Sequence, residues 1–385
     1  MSDRVAVVGI GQTKFGEHWR HGLRDLAVEA GCEAMDNAKM ERKDIEALFV
    51  GNMSGGMFSS QEHVAALVAD CLGLNPIPAT RCEAACASGA LAFRQAYMAI
   101  KSGHHDCVMA LGVEKMNDVR GDQALTALMG AGDYDWEAIH GLTFTGLYAL
   151  MAQRHMREYG TTREQMAMVS VNNHKNGKNN PLAQFRSEIT VEQVLKSTMI
   201  ADPLRVLDCS PITDGSAAVI LVSEKYAKQN DFPIWILGSG QGSDSIALHD
   251  RASLTEMRAT LEATKKAYEQ SGLTPNKIDI AEVHDCFSIN EIIAVEDLGF
   301  CEKGAGGKFV EDNKINISGE KPINTQGGLK ACGHPVGATG IRQVCDIVRV
   351  LRGKAPNNIN NIKTGLALNV GGSGATATVN IFGIE

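Results

Sequence analysis

The chain has 385 residues, 44% of them hydrophobic and 21% charged, with a net charge of −8. That length suits two or three domains of ~100–200 residues each. The acidic balance excludes a general nucleic-acid surface, which needs clustered basic residues, and no uninterrupted apolar run reaches the ~20 residues of a bilayer span.

Residues Met1 to Val5 lack the basic and apolar regions of a secretory leader. The ten cysteines are scattered and form no CxxC pair, so there is no local zinc signature. Free thiols in a reducing, cytoplasmic setting are expected.

In chain order, Val5 to Val8 reads as a buried strand running into Gly9-Ile10-Gly11. The next glycine is Gly16, so the spacing is GxGxxxxG rather than the GxGxxG of a dinucleotide site. A glycine-rich turn after a strand is the better reading. Residues 24–40 follow the period of an amphipathic helix, and Ile45 to Val50 reads as a strand. The same order returns at residues 257–271 and 278–283. Ala34 falls on Ala267, Met40 on Leu273, Ile45 on Ile278 and Val50 on Val283, each 233 positions on. Arg94-Gln95 recurs as Arg342-Gln343, 248 positions on. Two copies of one α/β unit, with an indel between the matched stretches, account for both offsets.

Residues 115–210 differ from both copies: rich in Met, Asn, Gln, Arg and His, poor in strand patterns. Over residues 151–190, six basic side chains (Arg154, Arg157, Arg163, Lys175, Lys178 and Arg186) face three acids. This is either a solvated helical face or a landing surface for a phosphorylated ligand. Asn179-Asn180-Pro181 marks a loop within it.

Four stretches carry chemistry. In Arg81-Cys82-Glu83-Ala84-Ala85-Cys86-Ala87-Ser88-Gly89, small residues crowd Cys86 and lead into a helix over about Ala90 to Lys101. A thiol at a helix N-terminus feels the positive end of the dipole, which favours thiolate; an inert buried cysteine is the alternative. Gly333-His334-Pro335, inside a glycine-rich run, precedes another helix, with Pro335 suited to the first turn. His334 lies 248 positions after Cys86, the offset of the Arg-Gln pair. The two therefore occupy equivalent positions, and helix N-termini of packed copies can converge. His284-Asp285-Cys286-Phe287 ends a strand, where open α/β sheets place their sites. Asn369-Val370-Gly371-Gly372 can turn backbone N–H groups toward an oxyanion.

Cys86-Ala87-Ser88-Gly89, His284-Asp285-Cys286-Phe287 and Gly333-His334-Pro335 together resemble the signature blocks of thiolases, in order and over essentially the whole chain. Other thiolases begin the third block Asn-Glu and carry Cys-x-Gly in the last. His284-Asp285-Cys286 and Asn369-Val370-Gly371 instead resemble the sterol-carrier-protein-2 type and its archaeal acetoacetyl-CoA thiolases. The resemblance implies an α/β fold, a duplicated five-layered αβαβα sandwich. Residues 1–114 and 211–233 would form one half, 234–385 the other, and 115–210 a loop domain for coenzyme A. It implies condensation of two acetyl-CoA to acetoacetyl-CoA as a first step of isoprenoid (mevalonate) synthesis. Cys86 would be the nucleophile, His334 its base and Cys286 the second acid/base. His284 with His334 would hold the enolate, and the N–H groups of Cys86 and Gly371 the oxyanion. Arg154, Lys175, Lys178 and Arg186 are the candidates for the coenzyme's phosphates.

No resident cofactor or metal is expected, coenzyme A thioesters being substrates. A homodimer or homotetramer is implied, beside hydroxymethylglutaryl-CoA synthase and a bridging DUF35 zinc-ribbon/OB-fold protein. The alternatives are a degradative 3-ketoacyl-CoA thiolase, a related condensing enzyme, whose third residue would be Asn or Glu, and a non-catalytic scaffold or lipid carrier.

Overall fold

The computed structural model describes residues 4–384. Its strands, in chain order, are β1 (Val5–Gln12), β2 (Ala47–Gly51), β3 (Ala79–Cys82), β4 (Cys107–Glu114), β5 (Met199–Ala201), β6 (Leu204–Arg205), β7 (Gly215–Ser223), β8 (Ile234–Ser243), β9 (Ile280–Glu282), β10 (Thr364–Gly371) and β11 (Thr376–Gly383). Apart from the β5–β6 ribbon they form one nine-stranded sheet, ordered β3-β2-β4-β7-β1-β8-β11-β10-β9.

The duplication is written in that order. Outward from the β1–β8 seam, β1, β7, β4 and β2 are joined by antiparallel, antiparallel and parallel pairings. On the other side β8, β11, β10 and β9 repeat the same three relations. The seam itself pairs only Ala6 with Trp235 and Val7 with Ile234. The two half-sheets can thus separate and enclose a layer of helices.

Strand alternation explains three separate cores. In β7, Ala218, Ile220 and Val222 pack with the Leu23–Ala38 helix, while Ala217, Val219 and Leu221 pack with the Ser88–Lys101 and Thr339–Leu351 helices. In β10, Leu366, Leu368 and Val370 point outward into the core that holds the Arg258–Ser271 and Ser288–Asp297 helices, and Ala367 points inward. Strands covered on both faces read as continuous apolar runs, because successive side chains feed opposite cores. The resulting layers are outer helices, half-sheet, central helices, half-sheet and outer helices: a five-layered αβαβα sandwich. Thr339–Leu351 is buried all round except at Arg349, as a middle-layer helix should be.

Between β4 and β7, neighbours in the sheet, the chain leaves for residues 115–214. This excursion forms helices at Gly121–Met129, Phe144–Tyr159, Arg163–Gly177 and Val191–Lys196. Leu147, Tyr148, Met151 and Val169 pack into the same core as the outer face of the C-terminal half-sheet.

The opening glycines have a packing role. A Cβ on Gly9 would lie 2.3 Å from Ala34 O, and one on Gly11 2.1 Å from Ala30 O. In the second copy, Gly238 and Gly240 meet Ala267 O and Ala263 O at 2.3 and 1.9 Å. Both glycine pairs let an outer helix lie directly on a strand, so no nucleotide is needed to explain them. Between the central helices, a Cβ on Gly340 would meet Ala90 N at 2.3 Å, and one on Gly89 would meet Gly337 O at 2.6 Å.

Gly240→Ala and Gly340→Ala should each lower unfolding stability by about 1–3 kcal/mol or more, since backbone cannot yield as a flexible side chain does. Gly121 opens a helix and has nothing within 4 Å of its Cβ position, so Gly121→Ala should be neutral or stabilising. Denaturant titration of the three variants checks this; equal stabilities would contradict the close-approach account.

Candidate active site

Cys86 sits in the turn between β3 and the Ser88–Lys101 helix. Ala85 is held at φ +52°, a left-handed conformation that a Cβ disfavours. The turn is tied by Ser88 Oγ, which accepts from Ala84 N at 3.0 Å and donates to Ala85 O at 2.6 Å. Glu83 accepts from Ala85 N at 2.6 Å. Small residues here leave the sulfur facing a cavity rather than a neighbouring side chain. Cys82 is buried in β3 and lies outside that cavity's lining.

His334 enters from the other copy. Its N–H donates to Thr213 Oγ1 at 2.9 Å, and Glu114 accepts from Gly337 N at 3.1 Å and from Met53 N at 2.8 Å. Glu114 thus staples the His334–Gly337 loop to the N-terminal half; burial raises its pKa to about 7. His334 Nδ1 lies 2.6 Å from Thr339 Oγ1, whose own hydrogen goes to Pro335 O at 3.0 Å. The hydroxyl can then only accept, so Nδ1 carries the ring proton and Nε2 presents a lone pair. That Nε2 is buried and has no protein partner.

His284 has the opposite tautomer. Asn369 Nδ2 donates to its Nδ1 at 2.9 Å, which leaves Nε2–H to point, unpartnered, into the same space. The two rings stand edge to face with centroids 5.0 Å apart. The Cys86 sulfur and a nitrogen of each ring lie within 4.8 Å of one another. These donor types could also ligate a soft metal ion.

In the next block, His284 lies against Cys86 and His334, and Cys286 lines the cavity beside them. Asp285 turns away to accept from Leu329 N, Lys330 N and Asn173 Nδ2 at 2.7, 3.2 and 2.8 Å. It thereby caps the short Gly328–Cys332 helix ahead of His334. Cys86, Cys286, Phe287, His334, Val336, Tyr148 and Gly372 line a narrow cavity of about 110 Å³.

Burial dominates the electrostatics. The Cys86 thiol is pushed up to about 12, eased by the N–H groups of Gly372 and of Cys86 itself. Cys286 is pushed up further, by burial and then by Cys86. Desolvation thus outweighs the pull of the helix dipole toward thiolate, and both sulfurs rest as thiols. Burial lowers His334 to about 3 and takes His284 well below its usual range, with the buried Arg342 charge adding to both. Both rings are neutral at rest.

The amide that reaches the Cys86 sulfur belongs to Gly372, at φ +60°, one residue beyond Gly371. Gly371 ends β10, and its Cα packs against Ala84 O with no room for a side chain. Arg154, Lys175, Lys178 and Arg186 are all exposed, and none lines the cavity. Arg154 pairs with Glu158 and Lys178 with Glu188 at 2.7 Å each. Thr339, Tyr148 and Arg251 carried no signal that sequence reasoning used. Thr339 opens the helix five positions after His334 and was open to inspection. Tyr148 is a helical tyrosine in no motif. Arg251 holds the glycine turn by donating to Ser373 O and Oγ at 2.5 and 2.9 Å.

Among the described residues, no helix is long and apolar enough to cross a membrane. The thiolase N-terminal domain model matches residues 5–225, and the thiolase C-terminal domain-like model matches residues 240–384. An acetyl-CoA acetyltransferase of Methanothermobacter thermautotrophicus is 55% identical over 98% of this chain and 99% of that one. Another, of Methanocaldococcus jannaschii, is 50% identical over 98% of each. The solved Ltp2-ChsH2(DUF35) aldolase superposes with a TM-score of 0.88 at 28% identity, covering 100% of this chain and 98% of that one. Matched in both halves and along nearly its whole length, the chain belongs to the thiolase family.

Proposed function

We propose that this thiolase is an acetyl-CoA C-acetyltransferase that joins two acetyl-CoA into acetoacetyl-CoA and free coenzyme A. The observation that carries the reading is the clustering of Cys86, His334 and His284, with the histidines in opposite tautomers, beside a cavity that Cys86, His334 and Cys286 line. The archaeal relatives named acetyl-CoA acetyltransferase support the two-carbon acyl group. So does the narrow cavity.

Each group's resting state fits a balanced proton cycle. His334 Nε2 takes the Cys86 proton as the sulfur attacks the first thioester. The tetrahedral oxyanion points at the N–H groups of Cys86 and the Gly371–Gly372 turn; each such donor is worth ~10²–10³ in rate. Coenzyme A leaves as thiolate and takes the proton of Cys286, which is a thiol at rest. The acyl-enzyme then holds a Cys286 thiolate and a protonated His334. A second acetyl-CoA loses its α-proton to Cys286, and its enolate oxygen meets His284 Nε2–H and His334. The carbanion attacks acetyl-Cys86, and Cys86 departs with the His334 proton. Every group returns to its starting state, and thiolysis runs the same steps backward.

Residues 115–210 are assigned as the loop domain, with residues 1–114 and 211–233, and 234–385, as the halves. Their basic face is the assigned seat of the coenzyme's phosphates. Arg154, Lys175, Lys178 and Arg186 are candidates, joined by Arg157, Arg163 and Arg205, which share a cleft with the single acid Asp202. Condensation is uphill, so a product-consuming hydroxymethylglutaryl-CoA synthase and a DUF35 protein are proposed partners. The name of the Ltp2-ChsH2(DUF35) structure supports the second.

Thiolysis of acetoacetyl-CoA by free coenzyme A tests the activity. The wild type should turn over, Cys82→Ala should stay within a few-fold, and Cys86→Ala should be inactive with no acetyl trapped on the protein. Turnover by Cys86→Ala at the normal rate would remove the mechanism. Cys286→Ser should still acetylate Cys86 slowly yet lose exchange of acetyl-CoA α-protons in deuterated water; wild-type exchange would remove Cys286 as the proton carrier. Neutralising a side chain that holds phosphate should raise KM for acetyl-CoA and leave kcat nearly unchanged, because those phosphates are held equally in ground and transition states. If all seven single variants keep the wild-type KM at low salt, the basic face is merely solvated.

A further inference from the structure

We propose that the Tyr148 hydroxyl is a catalytic group of this site: it hydrogen-bonds the Cys286 sulfur and holds the thiolate form by turning its proton from the Gly372 carbonyl to that sulfur. The inference rests on the reading of Cys286 as proton carrier and goes beyond it.

Tyr148 lies one turn into the Phe144–Tyr159 helix, outside every block that marks the site in sequence. Its side chain is 1% exposed, an expensive place for a phenol unless the oxygen is satisfied. The ring stacks on Phe287, centroids 4.6 Å apart, which fixes where the oxygen falls. The hydroxyl donates to Gly372 O at 3.0 Å and lies beside Cys286 in the cavity that both line. A phenol has one proton. With that proton on Gly372 O, the contact to Cys286 at rest must run from the thiol S–H to the phenol oxygen.

Ionisation of Cys286 reverses the contact. The thiol proton goes to the departing coenzyme A, and the phenol oxygen now faces an anion instead of a donor. Rotation about the C–O bond moves the phenol hydrogen from Gly372 O to the sulfur. No heavy atom has to move, and the phenol stays protonated: burial and the neighbouring Cys286 keep its pKa well above the usual tyrosine range. The charged neighbours of Cys286 are few. Lys330 lies on the favourable side, Cys86 and Asp285 on the unfavourable; Arg251 lies near Tyr148. Lys330 is already committed to the Asp208 carbonyl, and Asn290 Nδ2 stands 4.0 Å from the sulfur. Tyr148 is thus the short-range donor available to the thiolate.

The arrangement also links two events. Gly372 supplies the amide beside the Cys86 sulfur, and its carbonyl is the other partner of Tyr148. When the thiolate draws the phenol proton, that carbonyl loses a donor. Arg251, through Ser373, then becomes the remaining tether of the turn.

The test compares two readouts in Tyr148→Phe, which keeps the ring stack and removes only the hydroxyl. Deuterium exchange of acetyl-CoA α-protons needs the Cys286 thiolate. Acetylation of Cys86 by p-nitrophenyl acetate does not, because the nitrophenolate leaves without a proton. Hydrogen bonds to charged groups predict a loss of exchange of about 10–100-fold. The loss should shrink as pH rises, and acetylation by the ester should fall far less than exchange does. Equal exchange in variant and wild type would overturn the proposal. So would exchange and acetylation falling together with an unchanged pH dependence, the mark of a structural role. Cys286→Ser separates the underlying reading: wild-type exchange there defeats the role of Cys286, whereas lost exchange there with normal exchange in Tyr148→Phe defeats only the role of Tyr148.

Discussion

The close crossing of the two central helices is the contact on which the site depends. Gly89 and Gly340 leave no space for a Cβ between the Ser88–Lys101 and Thr339–Leu351 helices. Cys86 stands just ahead of the first helix and His334 just ahead of the second. The backbones must touch for a short cysteine to reach an imidazole, because neither side chain can span a normal helix–helix gap of 8–10 Å. Duplication supplies the geometry: equivalent ends of two copies meet about a pseudo-twofold axis. The seam pairs at Ala6–Trp235 and Val7–Ile234 fix that axis without flattening the halves into one continuous layer.

Burial keeps the imidazoles of this centre neutral, and a buried cation reinforces it. Arg342 is fully buried and pairs with Asp346 at 2.7 Å and Glu282 at 3.3 Å. Those carboxylates keep it charged, while its positive field opposes protonation of both histidines. In the proposed cycle a neutral His334 accepts the Cys86 proton, and a neutral His284 with Nε2–H acts as a pure donor. The usual liability of a buried ion pair, desolvation with little net gain in stability, is accepted beside a site whose chemistry requires neutral imidazoles. Arg342-Gln343 stood out in the sequence as half of a repeated pair; its copy Arg94 is half-buried and packs on Met98, so the electrostatic role belongs to one copy alone.

What the sequence made legible follows from what repeats and what is periodic. The helix at residues 24–40 is found at Leu23–Ala38 and the strand at 278–283 at Ile280–Glu282, because amphipathic period and burial on two faces leave compositional traces. The equal offset of Cys86 and His334 revealed their convergence. Tertiary choices left no such trace. Burial, which no single residue announces, overrode the helix dipole at Cys86. The glycine turn places the Gly372 amide on the sulfur because Tyr148 and Arg251, 224 and 122 residues away from their partners, hold it there. The charge surplus over residues 151–190 was real, yet exposed lysines and arginines can pair locally, as Arg154 and Lys178 do, and composition cannot tell a pairing surface from a landing surface.

The exchange of Cys for Asn at position 369 and the arrival of Cys286 make sense as one rearrangement. Asn369 sits on β10 behind His284 and spends its amide nitrogen on the imidazole Nδ1. A thiol there is too weak a donor to fix that tautomer. With Asn369 in place, His284 presents Nε2–H to the substrate, and the acid/base thiol has to come from elsewhere. Two residues after His284, Cys286 lines the cavity beside Cys86 and His334. Asp285, facing away, is free to cap the Gly328–Cys332 helix that presents His334. In the proposed cycle, three successive residues therefore supply an oxygen-holding donor, a structural cap and a proton carrier.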